Sequence, residues 1–98
     1  MPQHDAPRER FTIERDGQVA QLVYRVVANR LLLLHTEVPA ALGGRGIGGE
    51  LVEMALERAR GDALVVVPHC PFARAWVRRH PSAAEGITIS WPAEPPDG

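Results

Sequence analysis

The amino-acid sequence predicts a small α/β domain in which a mixed β-sheet is flanked by two helices. The first third of the chain alternates apolar and polar residues between turn signals, as antiparallel strands do. A helical pattern over 46–60 then separates two apolar runs, 31–34 and 64–67, which suits a crossover between parallel strands. With 98 residues the chain can bury one core, so we expect one domain over 11–90 between flexible tails of 1–10 and 91–98.

Three consecutive strands are predicted in the first part of the domain, over 11–15, 19–27 and 31–38. Asp16 and Gly17 tolerate the positive φ angles of a tight hairpin turn, so the first two strands should be antiparallel neighbours. The buried face of the second strand should carry Ala20, Leu22, Tyr24 and Val26. The third strand opens with four leucines and lacks alternation, which predicts a central strand covered on both faces.

The second part of the domain should contain two helices and one or two further strands. Apolar residues recur every three to five positions over 46–60, which predicts an amphipathic helix ended by Gly61. The run 64–67 is then a buried strand parallel to the third strand. A second helix is predicted over 71–80, with Pro71 in its first turn, and 87–89 could add a short final strand.

Composition excludes several classes of function. The chain has 11 basic and 12 acidic side chains, so it lacks the positive field that binding to nucleic acid or to an anionic membrane requires. All the cationic side chains are Arg, which excludes Schiff-base chemistry on Lys. No apolar run approaches the roughly 20 residues that span a bilayer. A single Cys allows neither an internal disulfide nor a thiolate metal cluster, and it favours a reducing, cytoplasmic setting. His4 and His80 are single and not paired by spacing, so we expect no metal site.

The strongest local signal is the glycine-rich loop over 43–49, which lies between a predicted strand and a predicted helix. Glycine lets backbone amides approach an anion closely, and the helix start adds unpaired donors and the positive end of its dipole. Arg45 would add a full charge. The dipole contributes about 0.3–1 kcal/mol, whereas micromolar affinity needs about 8 kcal/mol. The loop therefore favours a large cofactor that carries phosphate over free phosphate.

Other glycine motifs fit less well. A nucleoside triphosphate loop needs Lys followed by Ser or Thr, and this loop is followed by Glu50. Gly44, Gly46 and Gly49 have the spacing of a dinucleotide-binding motif, but no ribose-binding acid follows the next strand and the chain is too short for that fold. A flexible linker, or glycines needed only for close packing, remains an alternative interpretation.

Three segments in this order resemble the acetyl-CoA-binding part of the GNAT N-acetyltransferase superfamily, in particular its short single-domain branch. They are His-Thr-Glu-Val-Pro over 35–39, Gly-Arg-Gly-Ile-Gly over 44–48, and Val-Pro-His-Cys-Pro-Phe over 67–72 with Arg-His-Pro at 79–81. The resemblance extends from about residue 11 to residue 80. The superfamily motif has Arg or Gln at the position of Gly43.

The resemblance implies a GNAT-like fold and acetyl-CoA as co-substrate. In the superfamily, the loop amides hold the CoA pyrophosphate and the pantetheine lies between two parallel strands that splay apart, here 31–38 and 64–67. The residues implied in binding acetyl-CoA are Val38, Gly43, Gly44, Arg45, Gly46, Ile47, Gly48, Gly49, Cys70, Phe72 and Arg74. Arg74 or Arg78 could contact the 3′-phosphate of CoA, and the alternative is that both lie on the solvated face of the second helix.

Cys70 is the first candidate for a catalytic residue. Pro71 makes it the expected N-cap of the second helix, where the helix dipole stabilises a thiolate. The thiol could carry the acetyl group or donate a proton to departing CoA, and the short GNAT-like branch has a suspected catalytic Cys here. Many full-length members use a tyrosine on this helix instead, where Trp76 is the nearest equivalent. The alternative is that Cys70 is a small buried apolar residue.

Glu37 and His35 are the other catalytic candidates. Residues two apart in a strand point to the same side, so both side chains could face one cleft and accept the proton of an amine. Their structural alternatives are a solvated carboxylate for Glu37 and a hydrogen-bonded residue beside the leucines for His35.

The sequence thus favours an acetyl-CoA-dependent N-acetyltransferase acting on an unidentified amine, either a small molecule or a protein. The alternative is a non-catalytic module or accessory subunit that binds CoA or acyl-CoA, and a third interpretation is an interaction domain. The chain could act as a monomer or a homodimer.

Overall fold

The computed structural model describes residues 9–92 and confirms the predicted small GNAT-like α/β fold, with a mixed sheet and two helices. Its elements are β1 (Glu9–Arg15), β2 (Gln18–Val27), β3 (Arg30–Glu37), α1 (Ile47–Asp62), β4 (Val65–Pro68) and α2 (Pro71–Arg79). The strand order is β1-β2-β3-β4. The first three strands are antiparallel, and β4 is parallel to β3. Short 3₁₀ turns cover Ala40–Leu42 and Pro81–Ala84. No helix among the described residues is long and apolar enough to cross a membrane.

The β1–β2 hairpin forms at the predicted turn, where Asp16 and Gly17 have φ angles of 53° and 76°. β1 begins two residues earlier than predicted, because Glu9 and Arg10 continue the ladder with β2. These two residues therefore belong to the sheet and not to the predicted tail. The rest of the predicted N-terminal tail, 1–8, and residues 93–98 of the C-terminal tail lie outside the described residues.

The core lies on one face of the sheet. Both helices contribute to it: α1 through a stripe that includes Leu51 and Leu56, and α2 through Ala73 and Val77. From the sheet it receives Ala20, Leu22, Tyr24, Leu31, Leu33 and Val66. Val26, which was predicted to be buried, is 36% exposed because it lies at the end of β2 next to the turn.

The position of β3 between β2 and β4 confirms that it is a central strand. The prediction that both faces of β3 are covered is wrong in part. Leu31 and Leu33 are fully buried, whereas Leu32 and Leu34 on the other face are only half-buried. The physical reason is that the buried side chains of both helices join the core on the same side of the sheet.

The first helix extends beyond the predicted end at Gly61. It continues to Asp62, and the left-handed residue that ends it is Ala63, with a φ angle of 55°. The amides of Ala63 and Leu64 both donate to the carbonyl of Ala59. Left-handed alanine costs about 1–2 kcal/mol, and the packing of Leu64 against the core offsets this cost.

The second helix ends one residue before the predicted position, with His80 as its C-cap. The predicted final strand is reduced to a single parallel bridge between Ile89 and Val66. Two hydrogen bonds hold this segment to the free edge of β4: the amide of Val66 donates to Thr88, and the amide of Ser90 donates to Val66.

Close contact between α1 and α2 requires glycine at two positions of α1. A Cβ atom on Gly48 would lie 2.7 Å from Cζ of Phe72, and one on Gly49 would lie 2.5 Å from Nε1 of Trp76. Trp76 has little freedom to move away, because its ring is stacked on His80 with 4.1 Å between centroids. These two glycines let the start of α1 pack directly on the aromatic side of α2.

We predict that Gly49→Ala destabilises the protein by about 1–3 kcal/mol, because the new methyl group overlaps the Trp76 ring. The matched control is Gly61→Ala in the same helix, where the methyl group meets no atom within 4 Å. That variant should gain about 0.5–1 kcal/mol from helix propensity. Chemical denaturation measures both free energies of unfolding. A Gly49→Ala protein as stable as the parent would contradict this account of the contact.

Candidate functional site

The site is built where β3 and β4 diverge. Their parallel pairing ends at Leu33 and Pro68, while β3 continues to Glu37. Proline has no amide hydrogen, so it cannot extend the ladder. Two residues later, the amide of Cys70 donates to the carbonyl of Leu33 at 2.9 Å. The chain therefore leaves β3 at Pro68 but stays fastened to it at the start of α2.

An irregularity in the β2–β3 ladder sets the directions of the side chains at this end of β3. Val23 pairs with His35 and the next residue, Tyr24, pairs with Leu33, so Leu34 is an extra residue in β3. The bulge changes the phase of alternation. As a result Thr36, and not His35, follows Leu33 on the core side. His35 and Glu37 are exposed, and Thr36 is half-buried.

Cys70 is the N-cap of α2, as predicted, with Pro71 in the first turn. Its side chain does not cap the helix, and the residue is only 3% exposed. The sulfur lies 3.1 Å from Oγ1 of Thr36, and either atom can be the donor. The thiol is therefore buried at the base of the divergence and hydrogen-bonded to β3.

His35 and Glu37 lie on the same side of β3, as predicted, and contact each other. Nε2 of His35 is 3.2 Å from Oε2 of Glu37, and Nε2 of Gln21 donates to Oε1 of Glu37 at 2.8 Å. The hydrogen bond from His35, followed by that from Gln21, lowers the pKa of Glu37 below its ordinary value of 4.5. At neutral pH Glu37 is thus a carboxylate, open to solvent and able to attract a cationic amine.

Glu37 also lines an open cavity of about 420 Å³. Its other lining residues are Val19, Thr36, Val38 and Pro39. This cavity lies beside the end of β3. It offers space for a molecule that approaches Glu37 and Thr36 from solvent.

The glycine loop has the backbone conformation that an anion site needs. Gly44 and Gly46 have φ angles of 80° and 76°, in the left-handed region that favours glycine. The first hydrogen bond of α1 is donated by Glu50 to the carbonyl of Gly46. None of the described residues accepts a hydrogen bond from the backbone amides over 44–49. These amides are available to a ligand at the positive end of the helix dipole.

The loop lines a second open cavity, of about 300 Å³, next to α2. Its lining residues are Val38, Leu42, Gly43, Gly44, Gly46, Ile47, Gly48, Gly49, Phe72 and Trp76. The structure thus brings together all the predicted acetyl-CoA-binding residues except Arg45, Cys70 and Arg74. Phe72 is 40% exposed and forms an apolar wall of the cavity beside Gly48.

The two arginines predicted to bind acetyl-CoA have other partners. Nη1 of Arg45 lies 2.7 Å from Oδ2 of Asp16, so its side chain points to the β1–β2 turn. Nη1 of Arg74 donates to the carbonyls of Pro68 and His69. Neither guanidinium lines the glycine cavity. Arg45 would have to exchange Asp16 for phosphate in order to contact a bound anion.

Sequence reasoning missed two residues of the site. Trp76 was considered only as the nearest equivalent of the family's tyrosine, and it lines the glycine cavity with Phe72. The paired glycines at 48 and 49 signalled that a large side chain would lie against them. Thr36 was not singled out, because its direction depends on the bulge at Leu34, which the sequence does not signal. Among residues 9–92 no group of three or more metal-binding side chains lies together.

The environment of Glu37 gives a testable pH dependence. We predict that the native carboxyl titrates below 4.5 and that His35→Ala raises its pKa more than Gln21→Ala does. Because the folded pKa lies below the unfolded one, the interaction stabilises the protein above the unfolded pKa and is lost as the pH falls through the folded pKa. Carboxyl ¹³C shifts of Glu37 measure the titration. An unchanged midpoint in His35→Ala would contradict the assignment.

Comparison with known proteins agrees with this geometry. A family model described as GCN5-related N-acetyl-transferase matches residues 10–86, which include every candidate site residue named above. Similar curated proteins include Protein NATD1 of Gallus gallus and of Homo sapiens, each 35% identical over 82 residues. The alignments cover 81% of this chain and 74% and 73% of those proteins. Protein NATD1 of Xenopus tropicalis is 32% identical over the same share of this chain. The chain therefore belongs to the family of GCN5-related N-acetyl-transferases, as its motifs predicted.

Proposed function

We propose that this protein binds acetyl-CoA and transfers its acetyl group to an amine. The observation that carries the proposal is the set of unbonded amides over 44–49, in a loop that lines a cavity next to the divergence of β3 and β4. Membership of the family supports it, since the matched segments include both the loop and the divergence.

The loop would hold the diphosphate of acetyl-CoA through its backbone amides. A helix dipole supplies only part of the required binding energy, so the organic portion of the ligand must also bury surface. Phe72 and Trp76 offer that surface on the α2 side of the cavity. The pantetheine would continue from there into the gap beyond Leu33 and Pro68, where the two strands no longer pair.

The acceptor amine would enter through the open cavity beside Glu37. A protonated amine is attracted by the carboxylate and gives up one proton to water before it attacks the thioester. His35 holds Glu37 in its ionised form and orients it. Because this side of the sheet is open among the described residues, both small molecules and protein termini are suitable acceptors.

In the transfer step the amine nitrogen forms a bond to the acetyl carbon, and the bond from that carbon to sulfur breaks. The amine loses one proton towards Glu37, and the departing CoA thiolate gains one from Cys70. The burial of Cys70 favours this direct route over a covalent acetyl-cysteine, because donating a proton needs only hydrogen-bond reach. Trp76 cannot act as this acid, because its indole N–H donates a hydrogen bond but does not give up its proton.

One observation favours the alternative of a non-catalytic CoA-binding module. Cys70 is 3% exposed and contacts the core side of β3, whereas His35 and Glu37 lie on the exposed side. A protein with this arrangement could hold acetyl-CoA without bringing an acid and a base to one thioester. The two functions differ in whether an amine releases free CoA.

We predict that the protein releases CoA from acetyl-CoA only when a primary amine is present. Cys70→Ala should lower kcat by about 10²-fold or more, because it removes the acid that protonates the leaving thiolate. A thiol-independent assay of the acetylated amine, by mass spectrometry, measures both proteins against a panel of amines. Glu53→Gln, on the exposed face of α1, is the matched control and should not change kcat.

Intact mass after mixing with acetyl-CoA alone tests the covalent route. Direct transfer predicts no acetyl adduct on the native protein, whereas an adduct that is absent from Cys70→Ala would establish the covalent route instead. Binding of acetyl-CoA without acetylation of any amine in the panel would reject the transferase and identify the CoA-binding module.

A further inference from the structure

Thr36 connects the buried thiol to the open cavity beside Glu37. Its hydroxyl lies 3.1 Å from the sulfur of Cys70, and the same residue lines the cavity that contains Glu37. Cys70 itself is 3% exposed and does not line that cavity. Thr36 therefore lies between the thiol and the solvent-filled cavity.

The position of Thr36 is fixed by the fold on both sides of the contact. On β3, the extra residue Leu34 turns Thr36 towards the core. On the other side, the amide of Cys70 is hydrogen-bonded to the carbonyl of Leu33. The amide of Cys70 is thus attached to Leu33, and its side chain to Thr36, three residues further along β3. This two-point attachment holds the sulfur against the hydroxyl.

We propose that the Thr36 hydroxyl is a positioning residue for Cys70 and forms the proton path between the thiol and the cavity. The inference rests on the proposed function, in which Cys70 protonates the departing thiolate of CoA. After that step the cysteine is a thiolate. The hydroxyl gives its proton to the sulfur and takes one from the protonated carboxyl of Glu37, directly or through a water molecule in the cavity. The thiol is restored and the excess proton of the amine is consumed, so charges and atoms balance.

A hydroxyl suits this role because it donates and accepts at the same time. A methyl group in its place would leave a buried thiolate without a donor, which is costly in a low-dielectric environment. Thr36→Val keeps the shape of the side chain and removes only the hydroxyl. Thr36→Ser keeps the hydroxyl and removes a methyl group.

The kinetic test compares these two variants in the amine acetylation assay. Thr36→Val should lower kcat about tenfold or more and leave the KM for acetyl-CoA unchanged, while Thr36→Ser should stay within about threefold of the native kcat. Thr12→Val, on the exposed surface of β1, is the matched control and should behave as the native protein. Circular dichroism and thermal unfolding check the fold, and Thr36→Ala replaces the valine variant if that variant does not fold.

A second readout does not depend on acetyl transfer. Without CoA, the single cysteine reacts as a thiolate with a small aromatic disulfide, and Cys70→Ala gives the background rate. Thr36→Val should slow this reaction, and Thr36→Ser should restore it. If the native protein acetylates no amine but Thr36→Val still slows this reaction, the role of Thr36 is supported and the proposed function is rejected. Equal rates in native, valine and serine proteins, including equally undetectable rates, would overturn the inference.

Discussion

The end of the β3–β4 ladder at Pro68 is the constraint on which the rest of the site depends. Without an amide hydrogen at this position the two parallel strands separate, while the amide of Cys70 keeps the start of α2 attached to Leu33. The gap between the strands, the buried thiol and the place of Thr36 all follow from these two local features.

The glycine loop serves two purposes with different glycines. Gly44 and Gly46 adopt left-handed conformations that leave the following amides unbonded. Gly48 and Gly49 are needed because α1 packs on Phe72 and Trp76. Close packing, an alternative interpretation of the sequence, accounts for the second pair only. The two purposes are connected, since the aromatic side chains that pack on α1 also form the wall of the glycine cavity.

Local patterns predicted most of the fold but less of the site. Alternation, Asp16 at the hairpin turn and the helical stripe depend on neighbouring residues, so they could be recognised without the structure. The bulge at Leu34 depends on pairing between two strands, and so the direction of Thr36 could not be foreseen. The partner of Arg45 depends on how the β1–β2 turn folds beside the loop. Each of these misses at the site involves a contact between segments that are distant in sequence.

Backbone amide NMR during titration with acetyl-CoA tests whether the loop amides bind its diphosphate. The largest saturable shifts should fall on residues 44–49. Gly44→Ala should weaken the binding, whereas Gly86→Ala, at a glycine with nearly the same φ angle, should not. Absence of saturable shifts in the loop at millimolar acetyl-CoA would contradict the account.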